Sequence, residues 1–460
     1  MLRRACPDTS WEIINTGVTA LNSHAIRLIA AECADYGPDA VLIYMGNNEV
    51  VGPYGPGSLL GGDAVPLPLI RAVTWLRSTR TGQALQSAAD TVLRGTRPET
   101  WSGMDMFQQS RVAQEDPSLE RVQRNFEENL RDIVRVLHHR GVPVILSTVA
   151  SNLTDCPPLG SSPWRPDAAL AAYDEGQALL AAGRLPAAAA SLRHARDLDE
   201  LRFRADSGVN AAIREIAEKE QVPLIEAEED FLQMQLAAPP KAVPLFYEHV
   251  HFTFEGNLAL ASAFTSALAD LWGGELPCLQ PDFFASITRD DLAMDLGYSP
   301  LAEGYSVGAI LAMKQKPPFL TQSGNAARVE RWNKKLRSID QALATTGLSE
   351  PIRRLEQAAE QCPRDGVLWY WLGRHYEDVG KPDAAIEAYR RSIDALPGNT
   401  AVLAHLGDLY RAQLRHAEAV AAYEQFLAII PSHPDYRRKL NEERLNKQPA
   451  AASSDHALQP

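Results

Sequence analysis

Residues 369–397 read WYWLGRHYEDVGKPDAAIEAYRRSIDALP, and residues 403–431 read LAHLGDLYRAQLRHAEAVAAYEQFLAIIP. A shift of 34 residues lays Leu372, Gly373, Tyr376, Ala385, Tyr389 and Pro397 on Leu406, Gly407, Tyr410, Ala419, Tyr423 and Pro431, with Leu403 under Trp369. Each period reads as a pair of helices, because apolar residues recur in it at helical spacing. Small residues at Gly373/Gly407 and Ala385/Ala419 let the paired helices approach closely. Pro363 lies one period before Pro397, so a degenerate repeat precedes these two. Two unrelated hairpins would not share so many positions.

The order W-x-x-L-G-x-x-Y, then A-x-x-x-F, then P resembles the tetratricopeptide repeat. That resemblance implies stacked antiparallel helix pairs over residues 346–443 and a concave face that takes up a protein partner. Residues 444–460 are low in hydrophobicity and read as a disordered tail. Residues 276–345 read as a connecting helical region with Pro-rich punctuation and a helix near 325–344.

Upstream, the pattern changes to strands alternating with helices. WEIIN (11–15) reads as a short strand, residues 20–34 as a helix closed by Gly37-Pro38, and AVLIYM (40–45) as a strand buried on both faces. Pro117 opens a helix to about His139, which Gly141 ends. VPVILSTV (142–149) and VPLI (222–225) are further buried strands, with helices at about 206–219 and 255–272. The alternation predicts a parallel α/β sheet over residues 1–275. Residues 52–116 read as an irregular insertion; its stretch Leu69–Leu93, with Arg71, Trp75, Arg77 and Arg80, is a surface helix or a lid. The Ala-rich segment 164–205 resembles one degenerate helical repeat set into this domain.

Three short segments carry the candidate chemistry. NTGVTA (15–20) follows one strand, GNNE (46–49) follows the next, and EHVH (248–251) leads through FTFEGN (252–257) into a helix. In order and context they resemble three sequence blocks of the SGNH (GDSL-like) hydrolases, over roughly residues 8–52 and 220–272, in a form joined to tetratricopeptide repeats. The resemblance implies an α/β fold, a flavodoxin-like (SGNH-type) three-layer parallel sheet, followed by the all-α repeat module. It implies an ester hydrolase acting on an acyl or acetyl ester of a carbohydrate or lipid-like acceptor, with no cofactor and no metal; an acyltransferase would use the same site. His251 would be the general base and Glu248, where the family has Asp, would orient it. Asn48 and the backbone N–H of Ala20 would stabilise the oxyanion, and Gly17, Gly46 and Glu49 would support the loops. Arg202 and Arg204 are candidate contacts for an anionic group on the substrate, or else a solvated helix start. Asn47-Asn48 alone also reads as a plain turn, and His251 as a helix-entry residue that satisfies a backbone group. His249 reads as a solvent-facing or support residue.

The family's nucleophile block, a Gly-x-Ser turn after an earlier strand, has no counterpart here. Ten residues precede Trp11, and Ser10 abuts the strand. The expectation is a hydrolase domain that begins after that block. The competing expectation is a non-catalytic repeat scaffold that carries a remnant domain.

Composition excludes some classes. A net charge of −13 argues against a nucleic-acid binder, which needs a basic face. Cys6, Cys33, Cys156, Cys278 and Cys362 show no metal-ligand spacing, and an odd count fits a closed disulfide framework poorly, so they read as incidental or buried thiols. No apolar run reaches the roughly 18 residues of a membrane span, and no apolar segment follows Arg3-Arg4. As written, the chain reads as cytoplasmic; the resemblance implies a longer native form with a membrane anchor, outside the cytoplasm.

Overall fold

Val122, Phe126, Leu130, Ile133, Val134 and Leu137 share one face of a long helix, Ser118–His139, and all six are buried. In this computed structural model Phe126, Leu130, Ile133, Val134 and Leu137 seat the helix on a small sheet, while Val122 packs with Val50 and Val112. The structure describes residues 1–58, 65–84, 104–161, 167–237 and 243–447. They form two compact units: the described residues up to Arg289 together with Ser306–Lys335, and Asp290–Tyr305 together with the residues from Leu336 onward.

In the first unit the sheet has three parallel strands, β1 (Val41–Tyr44), β2 (Val144–Ser147) and β3 (Leu224–Ile225), in the order β1-β2-β3. Val41 pairs with Val144, Tyr44 with Ser147, and Leu146 with Leu224. Successive residues of a strand point to opposite faces. Val144 and Leu146 therefore pack with Ala30, Phe126, Leu130 and Ile213, from helices Ser23–Asp35, Ser118–His139 and Ser207–Lys219. Ile145 packs instead with Phe231 and Leu268, from helices Ala227–Ala237 and Phe254–Trp272. Residues 168–197 form a tight helix pair, Ala168–Ala181 and Leu185–Asp197, in which a side chain at Gly176 would meet Leu192 at 2.7 Å.

The expected flavodoxin-like three-layer sheet is corrected by these elements. The described residues are predominantly helical, and their one sheet has strands of four, four and two residues. Two physical causes shorten it. Pro143 and Pro223 have no N–H to donate, so β2 and β3 begin after them, although both proline carbonyls accept from the neighbouring strand. Trp11–Asn15, expected as a strand, joins no sheet among the described residues and lies as coil, with Ile13 and Ile14 78% and 74% exposed. Of the expected lid, Leu67–Ser78 is a helix with Trp75 exposed, while its continuation over 85–93 lies outside the described residues. The cysteine expectation is corrected too. Cys6 and Cys278 form a disulfide across 272 residues of sequence, with Cα atoms 5.5 Å apart; Cys33, Cys156 and Cys362 are in no disulfide. Among the described residues no helix is long and apolar enough to cross a membrane.

The second unit contains the repeats. Helices Ser349–Gln361, Gly366–Asp378, Pro382–Ala395, Thr400–Ala412, His416–Ile429 and Pro434–Lys447 follow one another. Asp365 and Asn399, one period apart, cap the two equivalent helices by accepting from backbone N–H groups of the first turn. Pro382 opens its helix at a position where no N–H is needed. Tyr389, Tyr410 and Tyr423 are buried, and Tyr376 is half-buried. The rings of Tyr389 and Tyr423 fill the space that Gly373 and Gly407 leave, so the repeated glycine–tyrosine pair is a packing unit. Of the tail expected over 444–460, residues 444–447 belong instead to helix Pro434–Lys447, and the remainder lies outside the described residues.

Candidate functional site

Beyond the end of β1, Gly46 adopts φ +152°, and a Cβ there would meet Val209 at 2.8 Å. Only glycine fits that close approach. The loop that follows is pinned on both sides. Asn47 Oδ1 accepts from the Ala205 N–H at 3.0 Å, and Asn48 Nδ2 donates to the Leu21 carbonyl at 3.0 Å. Glu49 is buried; its carboxyl accepts from the Ser23 N–H at 2.9 Å and the Ser23 hydroxyl at 2.7 Å. Asn129 donates to that hydroxyl at 3.0 Å. Burial pushes the Glu49 carboxyl up to about 7 against these bonds. Burial, helped by Arg27 and Arg71, pushes neighbouring His24 down to about 4. Ala20, on the turn before Leu21, holds φ +64°, a left-handed conformation uncommon for a residue with a Cβ. Gly17 donates its N–H to the Asn15 side chain at 2.8 Å in an exposed turn.

Beyond β2, Asn152 holds the other half of the candidate site. Its Nδ2 donates to the Glu248 carbonyl at 2.7 Å, and its N–H donates to the His249 carbonyl at 2.9 Å. The Glu248 side chain is fully buried. Its Oε2 accepts from the N–H groups of His249 and Val250, and its Oε1 accepts from the His251 N–H at 3.0 Å. Oε1 also meets Nδ1 of the His251 ring, and Oε2 faces Nδ1 of His249. The two histidines differ in setting. His249 is buried, and its imidazole is held well below its ordinary value by burial, with His251, Arg204 and Lys314 adding to it. The His251 ring is 68% exposed. Thr253 closes the segment as the cap of helix Phe254–Trp272, accepting from the Gly256 N–H at 3.2 Å.

The structure thus brings Glu248 and His251 together and ties Asn48 to the turn that carries Ala20. Arg202 and Arg204 are turned inward. Arg202 donates to the carbonyls of Val112 and Asp197 and pairs with Asp206; Arg204 donates to the carbonyls of Asn152 and Cys156 and pairs with Asp199 at 2.9 Å. Sequence reading missed Asn152 and Asn129, which no local spacing marks. A carboxylate on Nδ1 selects the imidazole tautomer whose Nε2 takes up a proton, as in acyl-transfer sites. Among the described residues no serine hydroxyl bonds His251, and no group of acidic, histidine and cysteine side chains is placed to hold a metal ion.

Comparison with known proteins bears on the second unit. A model of the tetratricopeptide repeat family matches residues 350–400 and 370–434. Among solved structures, the crystal structure of MamA protein is similar at 18% identity, over 34% of this chain and 81% of that chain, with a TM-score of 0.22. No curated protein matches the chain. Residues 350–434 are tetratricopeptide repeats, a module that generally mediates protein–protein interaction.

Proposed function

We propose that the chain is a protein-binding scaffold in which the tetratricopeptide repeats take up a partner and the sheet-bearing unit is a hydrolase-like remnant. The observation that carries this reading is the family match over 350–434, on helices whose glycine–tyrosine packing recurs with the period. Stacked helix pairs of this kind present an extended groove to a partner chain. The experiment is cross-linking mass spectrometry of the full chain with proteins it retains from extract. Cross-links concentrated on 349–447 support the reading. Cross-links confined to residues 1–289 contradict it.

One observation favours a second reading. The buried Glu248 carboxylate on the His251 ring is the orienter–base half of an acyl-transfer site, and Asn48 with the Ala20 N–H would receive the oxyanion. On this reading the chain hydrolyses or transfers an acyl group from a carbohydrate or lipid-like ester. The two readings differ in one assay. A scaffold turns over p-nitrophenyl acetate no faster than its His251→Ala variant. An enzyme loses about 100-fold or more on that change, the usual contribution of a general base.

A further inference from the structure

Helices Ser349–Gln361, Gly366–Asp378 and Pro382–Ala395 border a cavity of about 210 Å³ whose wall is aromatic and acidic. Trp369 and Tyr376 supply the aromatic surface, and Glu356, Glu360 and Glu387 supply carboxylates. One cation is already there: Arg391 bonds Glu387 at 3.1 Å and lies 4.7 Å over the Trp369 ring. Glu356 accepts from the Tyr376 hydroxyl, and neither Glu356 nor Glu360 has an ion-pair partner among the described residues. Burial and these two carboxylates hold the Tyr376 phenol above its ordinary value, with Arg391 opposing them from the Trp369 side, so both negative charges bear on the same ring.

The equivalent place one period later is filled differently. Arg390 stands where the first period has Glu356, and Tyr410 stands where it has Tyr376. Arg390 Nε donates to the Tyr410 hydroxyl at 3.0 Å, its guanidinium lies 5.9 Å from that ring, and Arg415 lies 4.6 Å over it. The second period therefore supplies its tyrosine with cations from its own chain. At Tyr376 the carboxylates are present, and among the described residues no lysine or arginine stands over the ring.

We propose that this cavity receives a lysine or arginine side chain from an extended segment of the partner that the repeats bind. The aliphatic stem packs on the walls around Trp369 and Tyr376, the charged head meets Glu356 and Glu360, and the rings add a cation–π contribution. The chain's net charge of −13 draws a basic segment toward it. This inference rests on the reading of the repeats as the partner-binding element and adds the chemistry of what they select.

The test is to pan a phage-displayed library of random dodecapeptides against the full chain and measure the enriched peptides by fluorescence anisotropy. The expected result is one position enriched in lysine or arginine. Replacing that residue by glutamine, or making Glu356→Gln with Glu360→Gln, weakens binding by about tenfold or more, the scale of a lost charge-assisted bond. The two changes together weaken it little further, because they remove the same contact. Circular dichroism of the variant checks that its helices persist. Should they not, the peptide substitution alone carries the test. Enriched peptides that lack a basic residue, or that bind the variant as tightly, overturn the inference and leave the scaffold reading standing. Enrichment of no peptide at all counts against both.

Discussion

Replacing Gly373 by alanine tests the packing of the repeats in one methyl group. A Cβ at Gly373 lies 2.5 Å from Cε1 and 2.6 Å from Cδ1 of Tyr389, where ordinary contact begins at 3.4 Å, so it intrudes by 0.9 Å (3.4 minus 2.5). The ring has little freedom to yield: Tyr389 is fully buried and its hydroxyl bonds Glu377. A 0.9 Å intrusion on a fully buried ring falls in the upper part of the overpacking range, about 2–3 kcal/mol, offset by about 1 kcal/mol because alanine is the better helix former. The net expectation is a loss of about 1–2 kcal/mol. Hydrogen exchange of amides in Gly366–Ala395 reads it locally, which matters in a chain of two units. Exchange there should quicken about 5- to 30-fold. Gly308 is the control. It sits inside helix Pro300–Lys314 with nothing within 4 Å of a new Cβ, so Gly308→Ala should slow exchange of its helix. Slower or unchanged exchange in Gly373→Ala would refute the close-approach argument.

Three further outcomes are expected. The Glu49 carboxyl, raised from 4.5 to about 7 in the folded chain, favours its protonated form there, so its contribution to stability falls as pH rises from about 4.5 to 7; the stability difference between wild type and Glu49→Gln should fall over that window in urea titrations, and a flat difference would contradict the buried setting. In the wild type this loss is opposed by His24, lowered from 6.5 to about 4, whose contribution rises with pH from about 4 to 6.5. Removing the carboxylate in Glu248→Gln should lower the pKa of His251 followed by NMR and quicken exchange of the 249–251 amides, which it accepts; unchanged values would separate the two residues. A non-reducing tryptic digest should yield one peptide pair joined through Cys6 and Cys278 and split by reductant, whereas free thiols at both positions would contradict the pairing.

Legibility followed the range of the interactions. The repeats were readable because their packing unit, Gly373 with Tyr389 and then Gly407 with Tyr423, recurs at a fixed spacing. Helix Ser118–His139 was readable because one apolar stripe decides it. The sheet is smaller than the apolar segments suggest. WEIIN has the composition of a strand, but a strand exists only with a partner for its backbone, and that is not a property of the segment. Glu248 and His251 were legible as a pair because they are three residues apart at a helix entry. Asn152, which holds the Glu248 carbonyl from 96 residues away, was not. Arg202 and Arg204 look alike in sequence whether they face solvent or the interior; carbonyls as distant as Val112 decide it. The Cys6–Cys278 pairing is likewise a long-range fact.

The central claim is that binding resides in the repeats and not at the histidine pair. It is tested most directly by the dissociation constant of one enriched peptide for the wild type, for Gly373→Ala and for His251→Ala. The account predicts weaker binding, by about fivefold or more, for Gly373→Ala, whose damage falls on the helices that carry the groove, and an unchanged constant for His251→Ala. Binding that survives Gly373→Ala and is lost in His251→Ala would contradict it.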